Sequence, residues 1–218
     1  MPAKGDGAPR AWQRMLSGRR LDLLDPSPLD IEIEDIAHGL ARVARWNGQT
    51  AGPHIFSVAQ HSLLVDAIAR HLQPDLPDDG RLAILLHDAA EYVVGDVISP
   101  FKVVIGDIYK EVEERLLVAI RLRFGLAAQP GAALLRLTKR ADRAAAFLEA
   151  TRLAGFSRRE ALAYFGRPEP LPAPLLDDLL APWPVDRAQA RYLAAFASAA
   201  ERGPARLHRC GSPDGGFR

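Results

Sequence analysis

A short stretch of the chain, LLHDAAEYVVGD at residues 85–96, carries ionisable side chains at the end of an apolar run. These side chains are His87, Asp88, Glu91 and Asp96. The run before them is apolar enough to predict a helix that is buried on most of its faces. Buried charges are costly unless they are paired or coordinate a metal, so this stretch is the first candidate for chemistry.

Two further side chains extend this set from distant parts of the chain. His61 lies early in one predicted helix, within FSVAQHSLLV, and Asp142 lies in the middle of another, within TKRADRAAAF. Divalent metals bind neutral imidazole nitrogens and carboxylate oxygens, at roughly 2.0–2.2 Å for zinc. His61, His87, Asp88 and Asp142 could therefore converge on one ion and leave positions open for water and substrate.

Two acids are candidates for catalysis beside such an ion. Glu91 follows His87 by four residues, which places both side chains on one face of a helix. It could lie over the site without binding the metal, and act on a water or a leaving group. Asp96 follows the break at Gly95 and could reach the same cavity from a loop.

The same residues have ordinary alternatives. A lone histidine on a helix is most often exposed, or hydrogen-bonded within the core. Asp142 lies close in sequence to Arg140 and Arg143, and it could form surface ion pairs worth at most about 1 kcal/mol. On the residue pattern alone, a metal site and these alternatives all remain open.

The elements that must position these residues are predicted to be helices. Apolar residues at helical spacing indicate helices over about 30–46, 57–72, 81–92, 107–123, 133–153 and 186–201, and a short one from Ser157. Ser57 with Gln60, and Ser157 with Glu160, are capping-box signatures. We find no convincing period-two strand. The prediction is an all-α fold with irregular Pro-rich connections: one domain over residues 12–201, with flexible tails at 1–11 and 202–218.

The composition argues against several classes of protein. The chain has 28 basic and 27 acidic residues and a net charge of +1, so nothing predicts bulk attraction to nucleic acid or to a membrane. Its single cysteine, Cys210, excludes an internal disulfide and a Cys-based zinc site. Neither a secretory signal nor a transmembrane run is visible, so we expect a cytoplasmic protein without membrane or nucleic-acid partners.

The set His61…His87-Asp88…Asp142 resembles the H…HD…D signature of HD-domain metal-dependent phosphohydrolases. The stretch LLHDAAEYVVGDVISPFK, residues 85–102, is similar to the matching segment of the bacterial HD-type 5′-deoxynucleotidases. The residues that match that segment beyond the His-Asp pair are Glu91, Gly95, Asp96, Pro100 and Lys102. The resemblance covers roughly residues 12–155 and implies a helical HD-domain bundle with enzymatic activity.

The resemblance also implies roles for these residues. One divalent transition metal ion (Co, Mn, Fe, Ni or Zn) would be bound by His61, His87, Asp88 and Asp142. Glu91 and Asp96 would be catalytic or water-positioning acids. Branches of the family that use two metals have further histidines after the His-Asp pair. Here no histidine occurs between residues 88 and 207, which favours a single ion.

Substrate contacts are implied for Arg45 and Trp46, which match an Arg-Trp pair of the nucleotidases. There the arginine binds phosphate and the tryptophan packs against the sugar. A guanidinium is suited to bidentate phosphate binding, and a rigid indole can fill the space of a 2′-hydroxyl. Trp46 could equally be an aromatic residue of the core at a helix end. Lys102 and His54 are further candidates for substrate contact.

The reaction implied is hydrolysis of the phosphomonoester of a (deoxy)nucleoside 5′-monophosphate. One alternative is a triphosphohydrolase that releases tripolyphosphate from a dNTP. It would need a larger basic pocket, and no basic cluster beside the site is obvious in the sequence. Another alternative is an HD domain that binds nucleotides without turnover. The base, the sugar preference and the metal stay open, and a homodimer is compatible with the resemblance.

Overall fold

The computed structural model describes residues 10–98, 101, 104 and 107–201, and it confirms the predicted all-α fold. The helices are α1 (Ile33–Leu40), α2 (Val58–Leu72), α3 (Asp78–Leu85), α4 (Glu91–Val94), α5 (Asp107–Arg123), α6 (Ala132–Arg152), α7 (Arg158–Phe165), α8 (Ala173–Asp177) and α9 (Val185–Ala200). Short 3-10 helices occupy Pro28–Asp30 and Arg45–Gly48. Within these ranges no helix is both long enough and apolar enough to cross a membrane.

Helix α2 lies at the centre of the fold. It contacts α1, α3, α6 and α9, and its residues Val58, Leu64, Val65 and Ile68 are fully buried. A helix that is apolar on most faces must be covered by neighbours on most faces, which is the arrangement seen here. His61 belongs to this helix and is also fully buried, so the candidate site begins inside the core.

Two serines begin helices as predicted, but only one forms a complete capping box. Ser157 accepts a hydrogen bond from the Glu160 N–H, and the Glu160 carboxylate accepts one from the Ser157 N–H. Ser57 accepts from the Gln60 N–H, whereas the Gln60 side chain does not return to the cap. It donates instead to two backbone carbonyls before α9 and accepts from a backbone N–H there. Gln60 therefore ties the start of α2 to the segment that precedes α9.

The prediction that the chain has no strand was wrong for residues 12–22. Strands β1 (Trp12–Arg14) and β2 (Arg20–Asp22) pair antiparallel across a turn that contains Gly18, at φ +87°. Each strand has three residues, and only Leu21 among them is fully buried. That is too short for an alternating pattern to be visible. The guanidinium groups of Arg14 and Arg20 lie 5.4 and 4.6 Å from the Trp12 ring centroid and add cation–π contacts.

The predicted helix over residues 30–46 is shorter in the structure. Helix α1 ends at Leu40, and residues 45–48 form a separate segment. Trp46 and Asn47 within it adopt left-handed backbone, with φ values of 57° and 50°. Residues other than glycine adopt left-handed backbone only at a steric cost. The spacing of apolar residues gives no sign of such a conformation, so the sequence overestimated the length of this helix.

The predicted helix over residues 81–92 is interrupted where the His-Asp pair occurs. Helix α3 ends at Leu85, residues 86–90 form turns, and α4 begins at Glu91. The N–H groups of His87 and Glu91 bond to carbonyls three residues earlier, as in a 3-10 helix. His87 and Asp88 therefore lie in a tight connection and not on one helical face.

The close approach of α1 and α4 depends on a glycine. A Cβ atom at Gly39 would lie 2.7 Å from the Cβ of Tyr92 and 2.9 Å from its carbonyl oxygen. Both atoms are held by the backbone of α4, so a larger residue would push the helices apart. Gly39 thus fixes the position of α4 and of Glu91, its first residue.

Candidate metal centre

The predicted metal ligands meet where α2, α6 and the turn between α3 and α4 come together. Nε2 of His61 lies 3.4 Å from Oδ2 of Asp88 and 3.3 Å from Oδ1 of Asp142. Nε2 of His87 lies 3.2 Å from the same Asp88 oxygen. His61, His87 and Asp88 each offer a ligand atom within 4.8 Å of the others. The fold thus brings together side chains from three distant parts of the chain.

The group that fits a single shared ion consists of His61, His87 and Asp88. Asp142 adjoins this group through its contact with His61. Atoms about 2.1 Å from one ion are roughly 3.0 Å apart at right angles and roughly 3.4 Å apart at the tetrahedral angle. The measured separations of 3.2, 3.3 and 3.4 Å fall within that span. The carboxylates of Asp88 and Asp142 are 25% and 41% exposed, so the cluster is open to solvent on its carboxylate side.

Both imidazole rings are oriented through their other nitrogen. Nδ1 of His61 donates to Oε1 of Glu149 at 2.5 Å, and Nδ1 of His87 donates to the carbonyl of Ile84 at 2.8 Å. Both acceptors lack a hydrogen to give, which assigns the proton to Nδ1 and leaves Nε2 as the atom that can bind an ion. Both Nε2 atoms are buried and have no hydrogen-bond partner among the described residues. Metal-binding histidines have this arrangement, and the cluster can hold a divalent metal ion.

Glu149 is the main residue of the site that the sequence analysis missed. It is fully buried in α6, seven residues after Asp142 and so on the same face of that helix. Besides its bond to His61, it accepts from the indole N–H of Trp46 at 2.8 Å and from Nε of Arg45 at 3.4 Å. The signal was present in the sequence: a single acid within the apolar stretch AAAFLEA, two helical turns after a candidate ligand.

The electrostatics of the cluster favour a cation. Burial raises the pKa of Glu149, but His61 and Arg45 outweigh that effect and hold it at about 2. Burial likewise raises the pKa of Asp88, and the two histidines hold it well below its ordinary value. Both carboxylates are therefore ionised at neutral pH. Burial and Arg45 lower the pKa of His61, yet Glu149, Asp142 and Asp88 raise it well above its ordinary value. The carboxylates therefore favour a positive charge at Nε2 of His61, which either a proton or a bound metal ion supplies.

Arg45 connects the metal cluster to one of the predicted catalytic acids. Its Nη1 donates to Oδ2 of Asp96 at 3.2 Å, while its Nε contacts Glu149. Burial lowers the pKa of the guanidinium, but Glu149, Asp96, Asp88 and Glu91 together raise it above its ordinary value. The guanidinium is thus a nearly buried cation surrounded by carboxylates, and its side chain is only 14% exposed.

Trp46, which is bonded to Glu149, packs against two aromatic residues. Its ring centroid lies 5.5 Å from that of Phe156 and 5.9 Å from that of Phe165. The residue is half-buried, and its indole N–H is bonded to Glu149. It therefore combines core packing with a position beside the cluster, although it lies in the segment after α1 and not at the end of that helix.

The remaining candidates differ in where they lie. Glu91 is buried at the start of α4, and Asp96 follows Gly95, whose φ of +78° ends that helix. Tyr109 of α5 donates to the Gly95 carbonyl at 3.2 Å. His54 is exposed and forms no hydrogen bond or ion pair with the cluster in the described ranges. Lys102 and Pro100 lie outside the described residues.

The surface ion pairs that were an alternative for Asp142 are not seen. In the described part of the chain, neither Arg140 nor Arg143 pairs with Asp142. Arg140 pairs instead with Glu169. The carboxylate of Asp142 points to His61, in keeping with a ligand.

The chain matches a known protein over most of that protein's length. The uncharacterized protein RCAP_rcc00048 of Rhodobacter capsulatus is 59% identical over 162 residues, which span 74% of this chain and 83% of that protein. The chain belongs to the same family as RCAP_rcc00048. The uncharacterized protein YfdR of Escherichia coli K12 is 35% identical over 97 residues, 44% of this chain and 49% of YfdR. No family model matches the chain.

Among solved structures, the cyanophage S-2L HD phosphohydrolase (DatZ), bound to dA and one catalytic Zn²⁺ ion, aligns with a TM-score of 0.46. The sequence identity is 19%, and the alignment covers 77% of this chain and 96% of that one. A likeness of this size does not by itself carry function over. For this member of the RCAP_rcc00048 family, the support for an H…HD…D arrangement comes from contacts within the chain itself. His61, His87 and Asp88 lie together, and Asp142 contacts His61.

Proposed function

We propose that this chain is a metal-dependent phosphohydrolase that cleaves the phosphomonoester of (deoxy)nucleoside 5′-monophosphates. The observation that carries the proposal is the cluster itself, in which two buried Nε2 atoms without hydrogen-bond partners face two carboxylates at 3.2–3.4 Å. Two imidazoles and two carboxylates leave an ion with open positions, which a hydrolytic site requires. The resemblance of residues 85–102 to the nucleotidases supports the monophosphate as substrate.

A divalent ion held there would supply a Lewis acid for the phosphoryl group. We propose that Arg45 would neutralise charge on the phosphate oxygens, where phosphoryl transfer gains most from stabilisation. Its Nε is bonded to Glu149, while its Nη1 is bonded to Asp96 and to no other side chain of the described residues. A phosphate that replaced Asp96 on Nη1 would free the Asp96 carboxylate to bind a water.

Asp96 and Glu91 are the acids we propose for proton transfer. Asp96 would orient a water opposite the leaving 5′-oxygen once phosphate engages Arg45, and Glu91 would protonate the leaving group, or the two acids would exchange these tasks. Both side chains are buried beside Arg45, whose pKa they raise. Trp46 would pack against the sugar through its ring face, since its N–H is committed to Glu149. Lys102 and His54 remain further candidates for phosphate contact.

The test is a substrate panel with the full-length chain, stripped of metal and reloaded separately with Mn, Fe, Co, Ni or Zn. We expect orthophosphate release from nucleoside 5′-monophosphates by at least one metal form. Asp88→Asn should lose turnover and metal retention together, because the shared oxygen that lies near both histidines is weakened as a ligand. Asp75→Asn, at an exposed loop position, is the matched control and should keep both.

Three results would overturn the proposal. Release of tripolyphosphate from dNTPs, without orthophosphate release from monophosphates, would assign the triphosphohydrolase alternative. Tight metal binding with no hydrolysis across the whole panel would assign a nucleotide-binding domain without turnover. Full activity of Asp88→Asn would remove the metal cluster from the reaction altogether.

A further inference from the structure

A second concave site lies on the same two helices as the metal cluster. A cavity of about 490 Å³ lies between the N-terminal half of α6, the C-terminal end of α2 and residues 165–171. Its cationic side chains are Arg136, Lys139, Arg140, Arg143 and Arg167. None of the four candidate metal ligands, nor Glu91, Asp96 or Arg45, lines it. We call this cavity the basic groove.

The charge of the basic groove is unbalanced. Five cations and one carboxylate, that of Glu169, line it, an excess of four positive charges in a chain whose net charge is +1. Glu169 is paired with Arg140. The other four cations form no ion pair or hydrogen bond within the described ranges. Like charges held together repel one another, and an anion between them would relieve that repulsion.

The cations approach from two sides. Lys139 and Arg140 lie three and four residues after Arg136, and Arg143 lies four and three residues after them, so these cations share one face of α6 and form a row about 10 Å long. Arg167 belongs to the segment after α7, across the groove. A bound anion would therefore be contacted from opposite walls, which a solvated charged face of a single helix does not provide.

The rest of the lining is apolar. Ile68 and Leu72 at the end of α2 and Phe165 at the end of α7 contribute to it. A volume of about 490 Å³ lies within the roughly 300–1,000 Å³ that small-molecule sites occupy. A half-open site of this size with an apolar wall suits a compact amphipathic anion better than a nucleic-acid strand, which binds along an extended track of positive charge.

We infer that the basic groove is a second ligand site, specific for a small molecule that carries two or more phosphate groups next to an apolar or planar moiety. The phosphates lie along the row on α6 and under Arg167, and the apolar part lies against Phe165 and Leu72. Arginine is the residue best suited to phosphate oxygens, and four of the five cations are arginines. This site does not depend on the proposed reaction at the metal cluster.

The experiment measures binding of inorganic pyrophosphate and tripolyphosphate to the full-length chain by calorimetry, at low and at moderate salt. The test variant is Arg136→Gln with Arg167→Gln, which removes one cation from each wall. The matched control is Arg158→Gln with Arg159→Gln, the same charge change at two exposed positions outside the groove. Thermal melting of each variant establishes that it is folded, as expected for exposed positions.

We expect both probes to bind to the natural chain and to the control. The groove variant should bind them at least roughly tenfold more weakly, since two charge-assisted contacts are lost. An equal loss in both variants would assign the binding to overall charge and overturn the site. No loss in the groove variant would place the probes elsewhere, including the metal cluster, and would overturn it too. Groove-dependent binding of a single-stranded oligonucleotide in preference to either probe would replace the small molecule with nucleic acid.

Discussion

The two ends of the α2–α6 pair differ in the sign of their charge and in whether the charged side chains are bonded to one another. At one end, His61, Asp142 and Glu149 form a cluster that is buried or half-buried, predominantly acidic and densely bonded. At the other end, Ile68 and Leu72 face the basic groove, where the cations are exposed and most have no partner in the described part of the chain. The same two helices therefore carry two different sites. In one, the charged side chains are bonded to one another, and in the other, the positive charge can be balanced by a ligand.

This contrast predicts where substitutions should matter. Removing one member of a buried, bonded cluster leaves the others unsatisfied, and the cost is large. Removing one exposed charge takes away little, because water already solvates it. The two regions should consequently separate in metal affinity and in stability, even where the substitutions lie within one or two turns of each other on α6.

The largest effect is expected for Asp142→Ala. It removes the carboxylate proposed as the fourth ligand, which adjoins the other three through His61, so metal affinity and turnover should fall by more than about a hundredfold, beyond the effect of losing an outer partner. Metal content after dialysis and orthophosphate release check this. Asp75→Ala, an exposed aspartate, should change neither. Retention of metal by Asp142→Ala would exclude it as a ligand.

A smaller effect is expected for Glu149→Gln. The amide keeps the shape but has one acceptor oxygen for the donors from His61, Trp46 and Arg45, so the His61 ring loses its fixed orientation. Metal affinity should fall by roughly ten- to a hundredfold, measured by competition with a chelator.

The matched control for Glu149→Gln is Glu169→Gln, the same substitution at the exposed ion pair with Arg140. It should leave metal affinity unchanged. If both variants lose metal to the same degree, or neither does, the contrast between the two ends of the helix pair fails.

The smallest effect is expected for Arg136→Gln combined with Lys139→Gln. Both side chains are exposed on the groove face, so the free energy of unfolding should change by less than about 0.5 kcal/mol. Slight stabilisation is the favoured direction because two repelling charges are removed. Urea unfolding measures it, and a loss above about 1 kcal/mol would show that these charges are part of the folded framework.

Most of the fold could be predicted because long helices leave a periodic signal. Helices α2, α5 and α9 begin and end within a residue or so of their predicted bounds, since each has a full apolar face. The hairpin of β1 and β2 could not be predicted, because three-residue strands show no alternation. The break after Leu85 was missed because a tight turn inside an apolar run has the same composition as a buried helix.

The candidate site could be predicted in its residue types but not in the hydrogen bonds that connect them. His61, His87, Asp88 and Asp142 stood out because each is ionisable within or beside apolar sequence. The bond from Trp46 to Glu149 joins residues 103 positions apart, and nothing local in the sequence indicates it. The basic groove was missed for a similar reason, since Arg167 joins the row on α6 only through the fold.

Next to Arg45, the chain passes through two residues with side chains in the left-handed region, at roughly 1–2 kcal/mol each. Trp46 has an indole bond and two ring contacts to offset that cost, whereas Asn47 is exposed and has only the tolerance of asparagine for this conformation. A β-branched residue at position 47 would favour an extended path and swing the guanidinium away from Asp96. Position 47 should therefore tolerate as few substitutions as a buried position does, although its side chain is exposed and contacts no reactant.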